Sequence, residues 1–403
     1  MRLSESFLLA GAGADIVGCG IVPAAPFILR RVPPEQTAEI DGRPATIHAA
    51  AMGDIVPRFD FAALAGGPEP MVLLVLVLAA DALLGNLNLL RRWLPHPALL
   101  LALTVNGLER RLNRGGRSAV KRLVRGVLAL ILVLALALGV SWLVILISAA
   151  LPFGWLVELL FLGALIAQRG PLDEARRLLQ ALEQGGLEAG RQAAAEIAGP
   201  AVQSMDQPAL VRAAVSHLAE RLLDGLVAAL FWFVLLGLPG LAAYRAINIA
   251  GRLLDDRNLE RRDFGLAASR LDDVVGYLPG RLAGLLVVLA AAFVPSTSPG
   301  NALRVMGRDA PRHRSLSLAW VVAAMAGALG LALTEARDAR GPQGRRAPAA
   351  EHQGTAPSIW LGKQEGRALA GTADIMRAIY VYALAALISF ALVTVVAMVQ
   401  FSL

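Results

Sequence analysis

The sequence predicts an all-α, polytopic integral membrane protein with re-entrant and amphipathic cytoplasmic helices, and three observations carry that prediction. The 403 residues are 56% hydrophobic and only 17% charged, whereas soluble domains carry about 25% charged residues. Charge-free runs at 127–150, 315–334 and 378–403 reach the roughly 20 residues that a bilayer crossing needs. A further apolar run, 226–244, is broken by Gly237, Pro239 and Gly240, as re-entrant helices are. This composition excludes a soluble cytosolic enzyme.

The formal charge of +7 does not point to nucleic acid. Of the 38 basic residues only Lys121 and Lys363 are lysine, an arginine bias of composition rather than recognition, and basic charge beside membrane spans is expected. The single cysteine, Cys19, excludes an intramolecular disulfide and a cysteine metal cluster, and the five histidines lack zinc-ligand spacing. The first 25 residues show no secretory signal.

In chain order, residues 1–70 carry Pro, Gly and both charge signs but no span-length run. They read as an extension, disordered, dispensable or not translated. Residues 71–168 read as N-terminal membrane helices: an apolar helix interrupted by Asp81, a second apolar segment at 98–108, and the run 127–150. The stretch 110–125 is basic without a single acid, which by the positive-inside rule makes that end cytoplasmic. Leu151-Pro152-Phe153-Gly154 reads as a tight turn, and 155–168 returns with Glu158 inside it. Residues 169–281 read as a cytoplasm-facing helical region of catalytic type and 282–334 as membrane helices. A disordered loop rich in Ala, Gly, Pro and Arg follows at 335–357, then a C-terminal segment and final transmembrane helix at 358–403.

Two amphipathic stretches in 169–281 carry the chemistry. At about 100° per residue, Ser216, His217, Glu220, Arg221 and Asp224 share one face, opposite Ala214, Val215, Leu218, Ala219, Leu222 and Leu223. That stripe is either the solvated face of a surface helix or part of a site. Ser269, Arg270, Asp272, Asp273, Gly276 and Tyr277 share another face, opposite Leu271, Val274, Val275 and Leu278. Asp272 and Asp273, flanked by Arg270 and Arg281, are either ligands for Mg²⁺ and phosphate or a structural ion-pair cluster. A full crossing by 226–244 would strand the two polar stretches on opposite sides, so a re-entrant element is expected.

One ordered series of motifs stands out: Asp81-Ala-Leu-Leu-Gly85, Leu94-Pro-His-Pro97, Leu223-Asp-Gly225, Ala243-Tyr-Arg-Ala-Ile-Asn248, Phe264-Gly265, Ser269-Arg-Leu-Asp-Asp273, Tyr277-Leu-Pro-Gly-Arg281, Arg308-Asp309, His313-Arg-Ser315 and Trp320. It resembles the adenosylcobinamide-phosphate synthase family (CobD/CbiB) of cobalamin biosynthesis from Met71 to the C-terminus, most strongly over 243–281. The resemblance implies a multi-pass ligase of the bacterial inner membrane, its polar site facing the cytoplasm. Such a ligase joins adenosylcobyric acid to (R)-1-amino-2-propanol phosphate with ATP and Mg²⁺, and its partners are the lipid bilayer and other cobalamin-pathway membrane proteins. It implies catalytic roles for Glu220, Asp224, Asp272, Asp273 and His313, with Asp272 and Asp273 on the metal. Asp81, His96, Arg245, Asn248, Arg270, Tyr277, Arg281 and Ser315 would bind substrate. Asn113-Arg-Gly-Gly-Arg-Ser118 is not a Walker A loop.

The sequence departs from the family pattern at several polar positions. A Gly-Arg-Asp-Thr run reads Gly199-Pro-Ala-Val202, Val-Glu-Thr-Val-Ala-Glu-Asn reads Val215-Ser-His-Leu-Ala-Glu-Arg221, and Thr-Leu-Asp-Ser-Met reads Ile249-Ala-Gly-Arg-Leu253. A Pro-Asn pair after Ser315 reads Leu316-Ser317, and a glutamate is replaced by Val322. Such losses are what relaxed catalytic constraint produces, so a divergent non-catalytic paralogue acting as a membrane scaffold stands beside the ligase. A transporter is a third reading, from Asp81 and Glu158 within apolar segments, although no internal repeat supports it. Single residues have plainer readings too: Asp81 as a helix-end cap, His96 as a turn residue, His313 as part of a basic loop, Trp320 as a headgroup-level anchor.

Overall fold

The computed structural model describes residues 69–84, 97–113, 118–166, 168–254, 259–312, 315–333, 360–362, 367 and 369–402, all within the unit Ala51–Leu403. The readings of residues 1–68, His96, His313 and the loop 335–357 lie outside the described residues. Those described are helical apart from turns and two isolated bridge pairs, Leu331 with Arg367 and Leu333 with Leu361.

The helices are α1 (Pro70–Leu84), α2 (Pro97–Leu112), α3 (Ala119–Ala150), α4 (Trp155–Leu165), α5 (Gly170–Ala198), α6 (Gln207–Arg221), α7 (Ala228–Leu254), α8 (Leu259–Val275), α9 (Tyr277–Ala291), α10 (Pro299–Asp309), α11 (Leu318–Leu329) and α12 (Thr372–Ser402). A π-helical turn, Leu222–Val227, joins α6 to α7. α3 and α12 are long and apolar enough to cross a membrane. Their outward residues are bare hydrophobics, among them Leu132, Leu143, Leu146, Leu387 and Met398, as lipid-facing helices require. The turn expected at 151–154 forms, with Phe153 at φ 63°, and α4 returns along α3 with Ser148 Oγ 3.4 Å from the Glu158 carboxylate.

The stretch 207–254 is also apolar enough for a span, but it does not run straight. Gly237 sits at φ 66°, ψ −158°, a region only glycine occupies freely, and the chain doubles back there. The proof is geometric. A continuous helix would hold residues 224 and 244 about 30 Å apart, yet the Tyr244 hydroxyl lies 3.2 Å from Asp224 Oδ1. The first apolar arm, 228–236, is about 14 Å long, half a bilayer core, so the expected re-entrant shape is present as a helical hairpin. α5 is bent the same way at Gly186, φ 69° and ψ −161°.

Two sequence expectations need correction. The run 315–334, read as a crossing, is only the 12-residue α11, closed by Gly330 in the left-handed region. It is about 18 Å long and buried on every side; a helix apolar all round belongs to a core as well as to a membrane. The stripe on α6 is not a solvated face either, since Ser216, His217 and Glu220 are buried, and so is Asp224 just beyond it in the π-helical turn. α6 and α11 form the centre of the molecule, packed by α5, α9, α10 and α12.

α8 is held close against two neighbours. A Cβ at Gly126 of α3 would lie 1.9 Å from the Phe264 carbonyl oxygen, and one at Gly251 of α7 would lie 2.9 Å from Asp272 Cβ. Arg122 pairs with Asp263 at 2.7 Å across the first of these contacts. α8 then bends by 51° into α9, and Gly276 and Gly280 pack against Ser317, leaving no room for a Cβ.

Candidate functional site

The polar residues of α6, α7 and α8 meet at the open end of the Gly237 hairpin. Asp224 lies in the π-helical turn, a distortion frequent at functional sites. Its Oδ1 accepts the Tyr244 hydroxyl and its backbone carbonyl accepts Arg245 Nη1 at 3.1 Å. Arg245 Nε donates to the Leu165 carbonyl at 2.6 Å, so this buried guanidinium ties α7 to the end of α4. Arg252 pairs with both sequence-predicted acids, reaching Glu220 Oε1 at 2.5 Å and also Asp224. Glu220 is fully buried, and a buried carboxylate without a counter-charge is costly; Arg252 supplies that charge.

The second half of the site lies along α8 and α9. Asn248 Nδ2 donates to Asp272 Oδ1 at 3.1 Å, and the Leu316 backbone N–H donates to Asp273 Oδ1 at 3.3 Å. As neighbours on a helix the two carboxylates point about 100° apart, one to α7 and the other to the segment before α11. Among the described residues no three His, Cys, Asp or Glu side chains converge as metal ligands. A Mg²⁺ ion at this place would rest on a single carboxylate with phosphate oxygens completing its shell, since the described residues make no cage for it.

Arg281 is sandwiched between aromatic rings, its guanidinium carbon 3.4 Å from the Tyr277 ring centre and 4.2 Å from that of Trp320. Trp320 thus packs over a cation. Cation–π contact with two rings holds the guanidinium, and Nη1 donates to the Tyr277 carbonyl at 2.8 Å. Ser315 Oγ accepts the Leu318 N–H at 3.2 Å and starts α11. Arg270 is exposed and makes no ion pair among the described residues. Farther along, Arg308 bonds to Asp309 and holds its carboxyl below the usual carboxylate range; the Gly362 N–H donates to the same group.

The structure joins Glu220, Asp224 and Arg245 around Arg252 and Tyr244 and Asn248 to Asp272, while Asp273 meets the segment before α11, Tyr277 packs on Arg281 and Ser315 caps α11. Asp81 has a separate post: its Oδ2 accepts the Gln168 and Arg169 backbone N–H groups at 3.0 and 3.1 Å, capping the entry to α5. Sequence reasoning placed His217 on the polar stripe of α6 but did not select Arg252, Tyr244 or Glu174, whose carboxylate lies 3.0 Å from the His217 ring. Arg252 had a readable signal. Arg245, Asn248 and Arg252, at i, i+3 and i+7, share one face of α7.

These features define a class, a polytopic helical membrane protein whose ionisable groups are turned inward around a helical hairpin. The profile described as CobD/Cbib protein matches residues 74–358. Cobalamin biosynthesis protein CobD of Brucella anthropi is 37% identical over 269 residues, 66% of this chain and 82% of that one. The protein of the same name from Rhizobium meliloti is 34% identical over 326 residues, 80% and 96% of the two chains. That of Rhodobacter capsulatus is 36% identical over 265 residues, 66% and 82%. The chain belongs to the CobD/CbiB family of cobalamin-biosynthesis proteins. No solved structure matches it.

Proposed function

We propose that the chain is the membrane ligase that joins adenosylcobyric acid to (R)-1-amino-2-propanol phosphate, at the cytoplasmic face of the bacterial inner membrane. The observation that carries the reading is that family-matched segments far apart in sequence converge: 224 with 244 and 245, 248 with 272, and 281 with 320. Amide formation from a carboxylate needs an activated acyl group, and ATP with Mg²⁺ supplies that activation when bound. The chain's own part is to bind and orient. Arg281, held by two rings, offers its guanidinium to phosphate or carboxylate, and exposed Arg270 adds charge. Asp272 is the carboxylate for Mg²⁺, with Asn248 setting its rotamer. The inner group of Glu220, Asp224, Arg245 and Arg252 holds the hairpin that carries Asn248.

Complementation of a strain lacking cobinamide-phosphate synthase, grown on cobyric acid, tests the assignment. Wild type should restore growth and Asp272→Asn should abolish it at wild-type protein level, because an amide cannot replace the charge on a metal. Equal growth of both would overturn the assigned site. One observation favours a second reading: Arg252 engages both inner acids, as in a charge-balanced structural core. A non-catalytic scaffold for corrin-pathway proteins would leave the wild type itself unable to complement.

A further inference from the structure

α2 packs against α3, and the two helices present one pattern twice. On α2 the exposed residues Leu99, Leu103, Asn106 and Arg110 share a face at helical spacing, and on α3 Lys121, Val124, Leu128 and Leu132 do the same. Each strip is mainly apolar and finishes in a cation. The two cationic ends meet, because Arg125 Nη1 of α3 donates at 3.3 Å to the carbonyl of Leu112, the last residue of α2. Arg122 joins the start of α8 to the same corner through Asp263, and Arg111 and Arg262 are exposed there as well.

These charges are not balanced from within. Arg110, Arg111, Lys121 and Arg262 make no ion pair among the described residues, and the acids beside them, Glu109 and Asp263, are engaged with Asn113 and Arg122. α3 opens with no acid in its first turn, and Ser118 at its N-cap makes no side-chain hydrogen bond. Cations normally favour the other end of a helix, since the N-terminal end is itself partly positive. A cationic N-terminus therefore calls for anions from outside. Lys121 stands about 9 Å along the axis from Val127, where the charge-free run begins, which is headgroup depth for a helix whose outward face meets lipid.

We propose that this corner is a docking surface for anionic phospholipids. Their headgroup phosphates lie against Arg110, Arg111 and Lys121, with Arg262 at the edge, while the acyl chains run down the strips of α2 and α3. A zwitterionic lipid carries the same phosphate, but its ammonium cancels the charge, so the surface selects net negative lipid. Clustered Lys and Arg beside a span act in this way, and the attraction weakens with salt. The apolar strips that continue from the cations favour lipid over RNA as the occupant.

The test uses the full chain purified in neutral detergent and mixed with equal amounts of phosphatidylglycerol and phosphatidylcholine of the same acyl chains, with the retained lipid read by native mass spectrometry. Wild type should retain phosphatidylglycerol with a preference of roughly fivefold or more at low salt, and with a smaller one at high salt. The triple variant Arg110→Gln, Arg111→Gln, Lys121→Gln should lose most of that preference while unfolding at the wild-type temperature in detergent alone. Arg110→Lys with Arg111→Lys, which keeps the charge, should retain it. Removal of three exposed cations on other helices, Arg176→Gln, Arg177→Gln and Arg304→Gln, should leave it in place. Should the triple variant not accumulate, Lys121→Gln alone should lower the preference in the same sense. Equal retention of the two lipids by wild type would overturn the proposal, as would a preference that the Arg110, Arg111 and Lys121 variant keeps or that the other triple removes just as well. Displacement of the lipid by inorganic phosphate, or an RNA oligonucleotide bound in its place, would overturn it too.

Discussion

Glu220 is fully buried and shares the Arg252 guanidinium with Asp224, so Arg252→Ala would leave two carboxylates without their common partner. Breaking a buried pair from one side typically costs about 3–5 kcal/mol. Thermal unfolding in detergent should show a loss of that order, and Glu220→Gln in the Arg252→Ala background should recover part of it. A neutral effect of Arg252→Ala would mean that the pair does not hold the hairpin. At this scale spacing on one helix put Asp272 and Asp273 on a polar face, and that face meets α7 and the segment before α11. The sequence was silent on partners contributed by another helix: nothing in residues 216–224 announces that Arg252, or Glu174, lies opposite.

The hairpin at Gly237 was legible as an element because its breakers interrupt an apolar run, but the residue that turns the chain was not singled out. With ψ at −158° Gly237 occupies a region essentially closed to other residues, and placing one there costs about 1–3 kcal/mol. Gly237→Ala should lower the unfolding temperature accordingly, whereas Gly107→Ala, a helical position with open space around it, should be neutral or stabilising. Comparable behaviour of the two variants would argue against the turn. α11 was misread because length was taken from composition. The run 315–334 is charge-free throughout, but Gly330 ends the helix and the chain continues into the short bridge pairs with 361 and 367, information that hydropathy does not contain.

The faces of α8 divide between lipid-type exposure and packing, with Leu271 and Val275 set against the core. Val274 and Leu278, assigned to the apolar side of α8 and its continuation, are exposed, while Asp272 and Asp273 turn toward neighbouring helices. If the stretches 110–125, 170–224 and 245–281 all lie on the cytoplasmic side, a lone cysteine introduced as Asn258→Cys in a Cys19→Ser background should react only from that side. Labelling from the periplasm would break the re-entrant topology and separate the faces that have to meet.

Amide synthesis itself separates a ligase from a scaffold. Purified wild-type protein given adenosylcobyric acid, (R)-1-amino-2-propanol phosphate, ATP and Mg²⁺ should yield adenosylcobinamide phosphate by mass spectrometry, with Asp272→Asn reducing the rate at least a hundredfold. A folded wild-type protein that yields no product with all four present would contradict it and leave the scaffold reading standing.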